Sequence, residues 1–135
     1  TERGYSQQDL LDSGLLSERD SGGYYDRFRH RIMIPIRDVN GRMAGFGART
    51  LDPEGIPKYL NSPQTAVFDK SRLLYGLDLV KRQIREARQV IIVEGYMDCI
   101  MPYQAGVANI VASLGTTLTV EQVRLLHRYT KNVVI

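Results

Sequence analysis

Residues 90–98 read Val90-Ile91-Ile92-Val93-Glu94-Gly95-Tyr96-Met97-Asp98, four apolar residues that stop abruptly at an acid. A short apolar run of this kind fits a buried strand. In an open parallel sheet, ligands bind beyond the carboxyl ends of the strands, so Glu94 is expected at that rim. An ionised carboxylate there is costly to bury without a partner. Gly95 lets the backbone turn and removes a side chain that would crowd the site. Asp98 falls near the start of the next helix. It either complements the positive dipole end or joins Glu94 in holding a hard cation such as Mg²⁺, which takes oxygen ligands. For Glu94 the alternative is a capping or ion-pair role.

The pattern around this stretch alternates. Val90–Val93, Asn109–Ala112 and Val133–Ile135 are strand-like, and Met97–Ala105 and Thr119–Tyr129 have helical length. The second helix is apolar at Val120, Val123, Leu125 and Leu126, and Thr119 with Gln122 resembles a capping box. Short apolar strands joined by helices make a parallel, helix-covered sheet. Upstream, Ser6 with Asp9 predicts an N-capped helix containing Leu10, Leu11, Leu15 and Leu16, interrupted near Gly14 and broken at 21–23. Residues 32–36 and 43–48 flank Asn40-Gly41 and read as a hairpin, with Pro35 marking an edge strand. Residues 51–63 read as a loop, and Leu77–Arg88 as a helix with a basic face. The fold class is therefore α/β. A mixed α/β basic N-terminal lobe with a hairpin (1–88) is followed by the first part of a doubly wound parallel sheet (89–135).

The chain has 135 residues, 43% of them hydrophobic and 24% charged, which is ordinary globular composition. No apolar run approaches the roughly 20 residues that span a bilayer, and the polar start TERGYSQQDL is not a signal peptide. One cysteine, Cys99, forms no internal disulfide and reads as a small buried residue. A reducing, cytoplasmic setting is the default. His30 and His127 are isolated, and nothing resembles a nucleophile triad. The net charge of +3 is unevenly spread: −3 over residues 1–23, +4 over 24–50, −1 at Asp52, +3 over 54–90 and zero over 91–135. The positive middle could meet a polyanion. The terminal run Asn132–Ile135, an apolar strand, suggests an excised fragment.

Several segments resemble the catalytic core of bacterial DnaG-type DNA primases, in register. Residues 93–98, VEGYMD, resemble the first Toprim motif. DRFRHRIMIPI (26–36), Gly41-Arg42, GFGAR (45–49), PKYLNSP (57–63), FDKSRLLYG (68–76) and ASLGT (112–116) match in order. The resemblance covers essentially residues 5–135. It implies an enzyme of DNA replication and of the primosome, a DNA-directed RNA polymerase that makes RNA primers on single-stranded DNA from ribonucleoside triphosphates. It also implies a two-metal site (Mg²⁺ or Mn²⁺) to which Glu94 belongs as catalytic acid and metal ligand, with Asp98 as a possible second ligand. Arg27, Arg29, Arg49, Lys58 and Lys70 match family positions that contact triphosphate or template, and Asn61 sits in the same motif. For each basic residue the bland reading is a surface ion pair, such as Arg27 with Asp26. The family's second acidic motif, its zinc-binding domain and its helicase-interaction domain are expected outside this chain. Zinc thus belongs to a separate domain, and contact with the replicative helicase to another. The expected partners are template, triphosphates and primer–template duplex. The fragment itself is expected to be monomeric, without a complete metal site, and inactive alone. The chief alternative is a non-catalytic nucleic-acid- or nucleotide-binding Toprim-like module.

Overall fold

The computed structural model describes residues 2–115 and 117–135. Thr116, last residue of the ASLGT segment, lies outside the described residues. Two compact units are present. One comprises the described residues up to Ile36 with Ala44–Phe68, the other Arg37–Met43 with Asp69–Ile135.

In the first unit, α1 (Gln7–Asp12) carries a full capping box. Ser6 Oγ accepts from the Asp9 N–H at 3.1 Å, and Asp9 accepts from the Ser6 N–H at 2.7 Å. The helix then stops earlier than the leucine pattern predicts. Gly14 adopts φ +72, and the Pro63 ring lies 2.5 Å from where its Cβ would be. Leu16 falls instead in β1 (Leu16–Glu18), antiparallel to β2 (Tyr24–Asp26). The period of four leucines hides a helix of only six residues followed by a strand. β3 (Arg31–Arg37), β4 (Met43–Thr50) and β5 (Tyr59–Asn61) form a second sheet in that order. Pro35 sits exposed on edge strand β3, as expected for a residue without an N–H. β5 corrects the loop expected over 51–63: three residues between two prolines show no periodicity, yet they pair antiparallel with Gly47–Arg49. Behind β4, a Cβ on Gly45 would meet the buried Phe68 ring at 2.6 Å and Ser62 Oγ at 2.9 Å. Only glycine allows that approach.

In the second unit, β6 (Val90–Val93) lies between β7 (Ile110–Ala112) and β8 (Val133–Val134), parallel to both. Val90, Ile92 and Val111 pack on Leu77, Val80 and Ile84 of α2 (Leu77–Ala87) and on Leu126 of α4 (Val120–Leu126). On the other face, Ile91 and Val93 meet Ile110, Ala112 and Cys99 of α3 (Tyr96–Gln104). Helices on both faces explain why β6 is apolar throughout rather than alternating.

The α4 capping box is present, since Thr119 Oγ1 accepts from the Gln122 N–H and Gln122 Oε1 from the Thr119 N–H. Of the apolar positions expected to be buried, Leu126 is in the core and Leu125 packs against it, but the two valines are not. Val120 and Val123 are 60% and 43% exposed, whereas Gln122 is fully buried. Its Nε2 donates to the carbonyls of Lys70 (2.9 Å) and Leu73 (2.8 Å). A polar side chain wins the interior position because it satisfies carbonyls of a non-helical segment that would otherwise be orphaned. Gln122→Ala is expected to destabilise the chain by about 2–3 kcal/mol, measured by urea unfolding. A change below ~0.5 kcal/mol would mean these bonds do not fasten residues 70–73 to α4.

Candidate functional site

Parallel pairing sends the carboxyl ends of β6, β7 and β8 to one edge. Ser113 N–H donates to Val93 O at 3.0 Å and Gly115 N–H to Glu94 O at 3.3 Å, so the backbones beyond β6 and β7 stay together past the last ladder pair. Glu94, the first residue after β6, is exposed. It lines a cavity of about 510 Å³ with Ser113, Thr117, Leu118 and Ile135. Gly95 caps α3 in extended conformation, without a side-chain cap bond. Asp98, in the first turn, folds its carboxylate back: Oδ2 lies 3.0 Å from where a Gly95 Cβ would be. The helix-end position expected for Asp98 is therefore found, and its carboxylate sits beside the Glu94–Gly95 junction.

Neither carboxylate forms an ion pair with the described residues. Both offer exposed oxygen donors, the chemistry that suits a hard cation. Mg²⁺ is commonly held by one or two carboxylates, with water and phosphate completing its shell. The pair fits such a cation as a partial ligand set. Among the described residues no group of three or more His, Cys, Asp or Glu side chains could hold a metal. Lys70, in the same unit, is half-buried, its carbonyl accepts from Gln122, and its ammonium makes no ion pair among the described residues.

The remaining candidates belong to the first unit. Arg49, at the end of β4, and Lys58, just before β5, line one cavity of about 330 Å³ with Thr50 and Asp52. The two segments are clamped there, as the Thr50 N–H donates to Lys58 O at 3.0 Å. Both cationic side chains are exposed and neither is ion-paired among the described residues. Arg27 behaves differently. Its guanidinium donates to the Asn61 carbonyl from Nε (3.3 Å) and Nη2 (3.2 Å), and to Ser17 Oγ at 3.4 Å. The Asp26 ion pair considered for it is not formed. Arg27 thus fixes the backbone of Asn61 rather than projecting a free charge. Arg29 is exposed and stacks on Tyr25, its guanidinium carbon 4.4 Å from the ring centroid, with Arg19 on the same ring at 5.8 Å. Sequence reasoning missed Tyr25 and Arg19. A cation–π stack depends on the β1–β2 turn, which no spacing rule announced.

Cys99 is excluded as a nucleophile. Its thiol is buried, donates to Ile110 O at 3.6 Å, and burial pushes its pKa from 9.0 to about 11.

Comparison with known proteins is consistent across the chain. Residues 1–81 match the family described as DNA primase catalytic core, N-terminal domain, and residues 88–135 match the Toprim domain family. A DNA primase of Legionella pneumophila is 50% identical over 129 residues, which is 96% of this chain and 22% of that protein. The chain thus spans about a fifth of the length of the curated relatives it matches. A DnaG primase catalytic domain solved bound to single-stranded DNA superposes with a TM-score of 0.86 at 47% identity, covering 97% of this chain and 43% of that one. The Aquifex aeolicus primase, solved with its zinc-binding and RNA polymerase domains, gives 0.86 at 42% identity, over 93% of this chain and 31% of that one.

A thiol so shifted carries roughly a hundredfold less thiolate at pH 8 than an ordinary one. Alkylation of Cys99 by iodoacetamide at pH 8 should run at least about tenfold slower in the folded chain than in urea. Equal rates would contradict its burial.

Proposed function

The chain belongs to the DNA primase catalytic-core family, and on that premise we propose that it forms part of an enzyme synthesising short RNA primers on single-stranded DNA from ribonucleoside triphosphates. The observation that carries this reading is the exposed Glu94 carboxylate at the carboxyl end of central strand β6, with Asp98 turned back beside it. The basic lobe expected over 1–88 is represented by the first unit together with the basic segments at 37–43 and 69–88 that fold into the second, and 89–135 supply the first part of the Toprim domain. Glu94 and Asp98 would hold a divalent cation, Mg²⁺ or Mn²⁺. When bound, such ions neutralise triphosphate charge and stabilise the charge that develops in an in-line displacement.

The chain's own cations have distinct parts. Arg49 and Lys58 converge on one cavity and are free to take a triphosphate, Arg by paired N–H donors and Lys as a point charge. Arg27 and Asn61 hold the PKYLNSP segment in shape. Arg29, stacked on Tyr25, offers a flat cationic face to template bases or phosphates. Lys70 adds charge in the second unit. Two carboxylates alone make a weak metal site, so the isolated 135-residue chain is expected to bind Mg²⁺ poorly and to make no primers.

In a full-length family member carrying these residues, Glu94→Gln should reduce primer synthesis at least about a thousandfold while template affinity changes less than threefold. Normal synthesis would remove Glu94 from the metal site. Lys58→Ala or Arg49→Ala should raise the apparent KM for triphosphate at least about tenfold, and an unchanged value would return them to the solvated surface. Template affinity should fall steeply with salt as counterions are released. A flat salt dependence would contradict a phosphate-binding role for the basic lobe.

A further inference from the structure

A second charged cavity, of about 340 Å³, lies within the second unit and shares no residue with the Glu94 cavity. Its wall is made by the 37–43 turn, the start of the 72–77 segment and α4. Three arginines are among its lining residues: Arg72, Arg124 and Arg128. All three are exposed, and none forms an ion pair among the described residues. Three arginines against Asp38 and Glu121 leave the lining with a formal excess of one positive charge, which favours an anion.

The acids nearby offset them only in part, Asp38 and Glu121 from the lining and Asp69 beside Arg72. Asp38 lines the cavity, but its Oδ1 is engaged by the N–H groups of Asn40 (2.8 Å) and Arg42 (2.9 Å), which hold the turn. Glu121 sits in the first turn of α4, where the helix N-terminus favours it, and it makes no ion pair with Arg124. The position of the cluster is well fixed. Arg124 lies in the last turn of α4, and Arg128, whose N–H donates to Leu125 O at 3.3 Å, lies in the turn that follows it. The turn itself is tied down by Lys81, whose Nζ donates to Val39 O at 2.8 Å, and by Val39 packing on the core. Val39 and Leu125 supply an apolar strip beside the charges.

We propose that this cavity binds a small organic phosphate: a phosphate or diphosphate group held by Arg72, Arg124 and Arg128, with an apolar or heterocyclic moiety laid against Val39 and Leu125. Guanidinium groups pair with phosphate oxygens through two parallel N–H donors. The volume lies in the range of roughly 300–1,000 Å³ usual for small-molecule sites. A nucleic-acid strand would call for an extended basic stripe, whereas here the charges line a concavity with an apolar wall. The site needs neither Glu94 nor a metal ion, so it stands apart from the function proposed above.

The test is titration of the ¹⁵N-labelled 135-residue chain in EDTA-containing buffer with adenosine 5′-diphosphate, inorganic pyrophosphate and a twelve-residue single-stranded DNA in turn. Saturable shifts are expected for residues 37–43 and 120–128 with the nucleotide, with a weaker response to pyrophosphate, which lacks the apolar contact. The exposed double variant Arg124→Ala/Arg128→Ala should weaken nucleotide binding at least tenfold, and Glu94→Gln should leave it unchanged. Absence of saturable shifts there, equal affinity in the double variant, or a response confined to the oligonucleotide would each overturn the proposal.

Discussion

Everything at the acidic edge depends on the parallel pairing of β6 with both of its neighbours. Val93 stands opposite Ala112 and Ile91 opposite Val134, so three strands end on the same side. Val90 and Ile92 are anchored in one core while Ile91 and Val93 pack on the other. A slip of one residue would exchange these two sets and drag Glu94 into the interior. The cost of burying an unpaired carboxylate therefore protects the register, and the register keeps the carboxylate exposed. Stability and chemistry agree at this one position.

Two polar side chains do for irregular backbone what ladders do for strands. Gln122 closes the carbonyls of Lys70 and Leu73, and Arg27 closes that of Asn61. Each lies in or beside a basic segment whose cations are left unpaired. Segments that carry exposed charges gain little from hydrophobic burial, so their conformation must be set by hydrogen bonds from elsewhere. The arrangement holds the main chain near Lys70 and Lys58 steady while the ammonium groups stay hydrated.

Much of this was legible from the residues. The strand Val90–Val93, the capping boxes at Ser6 and Thr119, and the Asn40-Gly41 turn all follow from local chemistry that a few residues complete by themselves. β1 and β5 were not legible, because three-residue strands are defined by partners distant in the chain. The α4 face misled for a related reason: valine at 120 and 123 looks like core until the carbonyls awaiting Gln122 are known. At the candidate site, the acid and the basic motif residues could be picked out from sequence. That Arg27 is spent on a carbonyl, and Arg29 on a ring, could not. Those facts belong to the tertiary fold.

The contact between Gly45 and the Phe68 ring leaves no room for even one methyl group. The two positions are thus linked as a lock and its ward. A homologue bearing alanine at the first should carry a smaller residue at the second, or else a displaced strand. Variation at this pair across relatives is then a record of steric compensation, and it would be misread as a change in what the protein recognises.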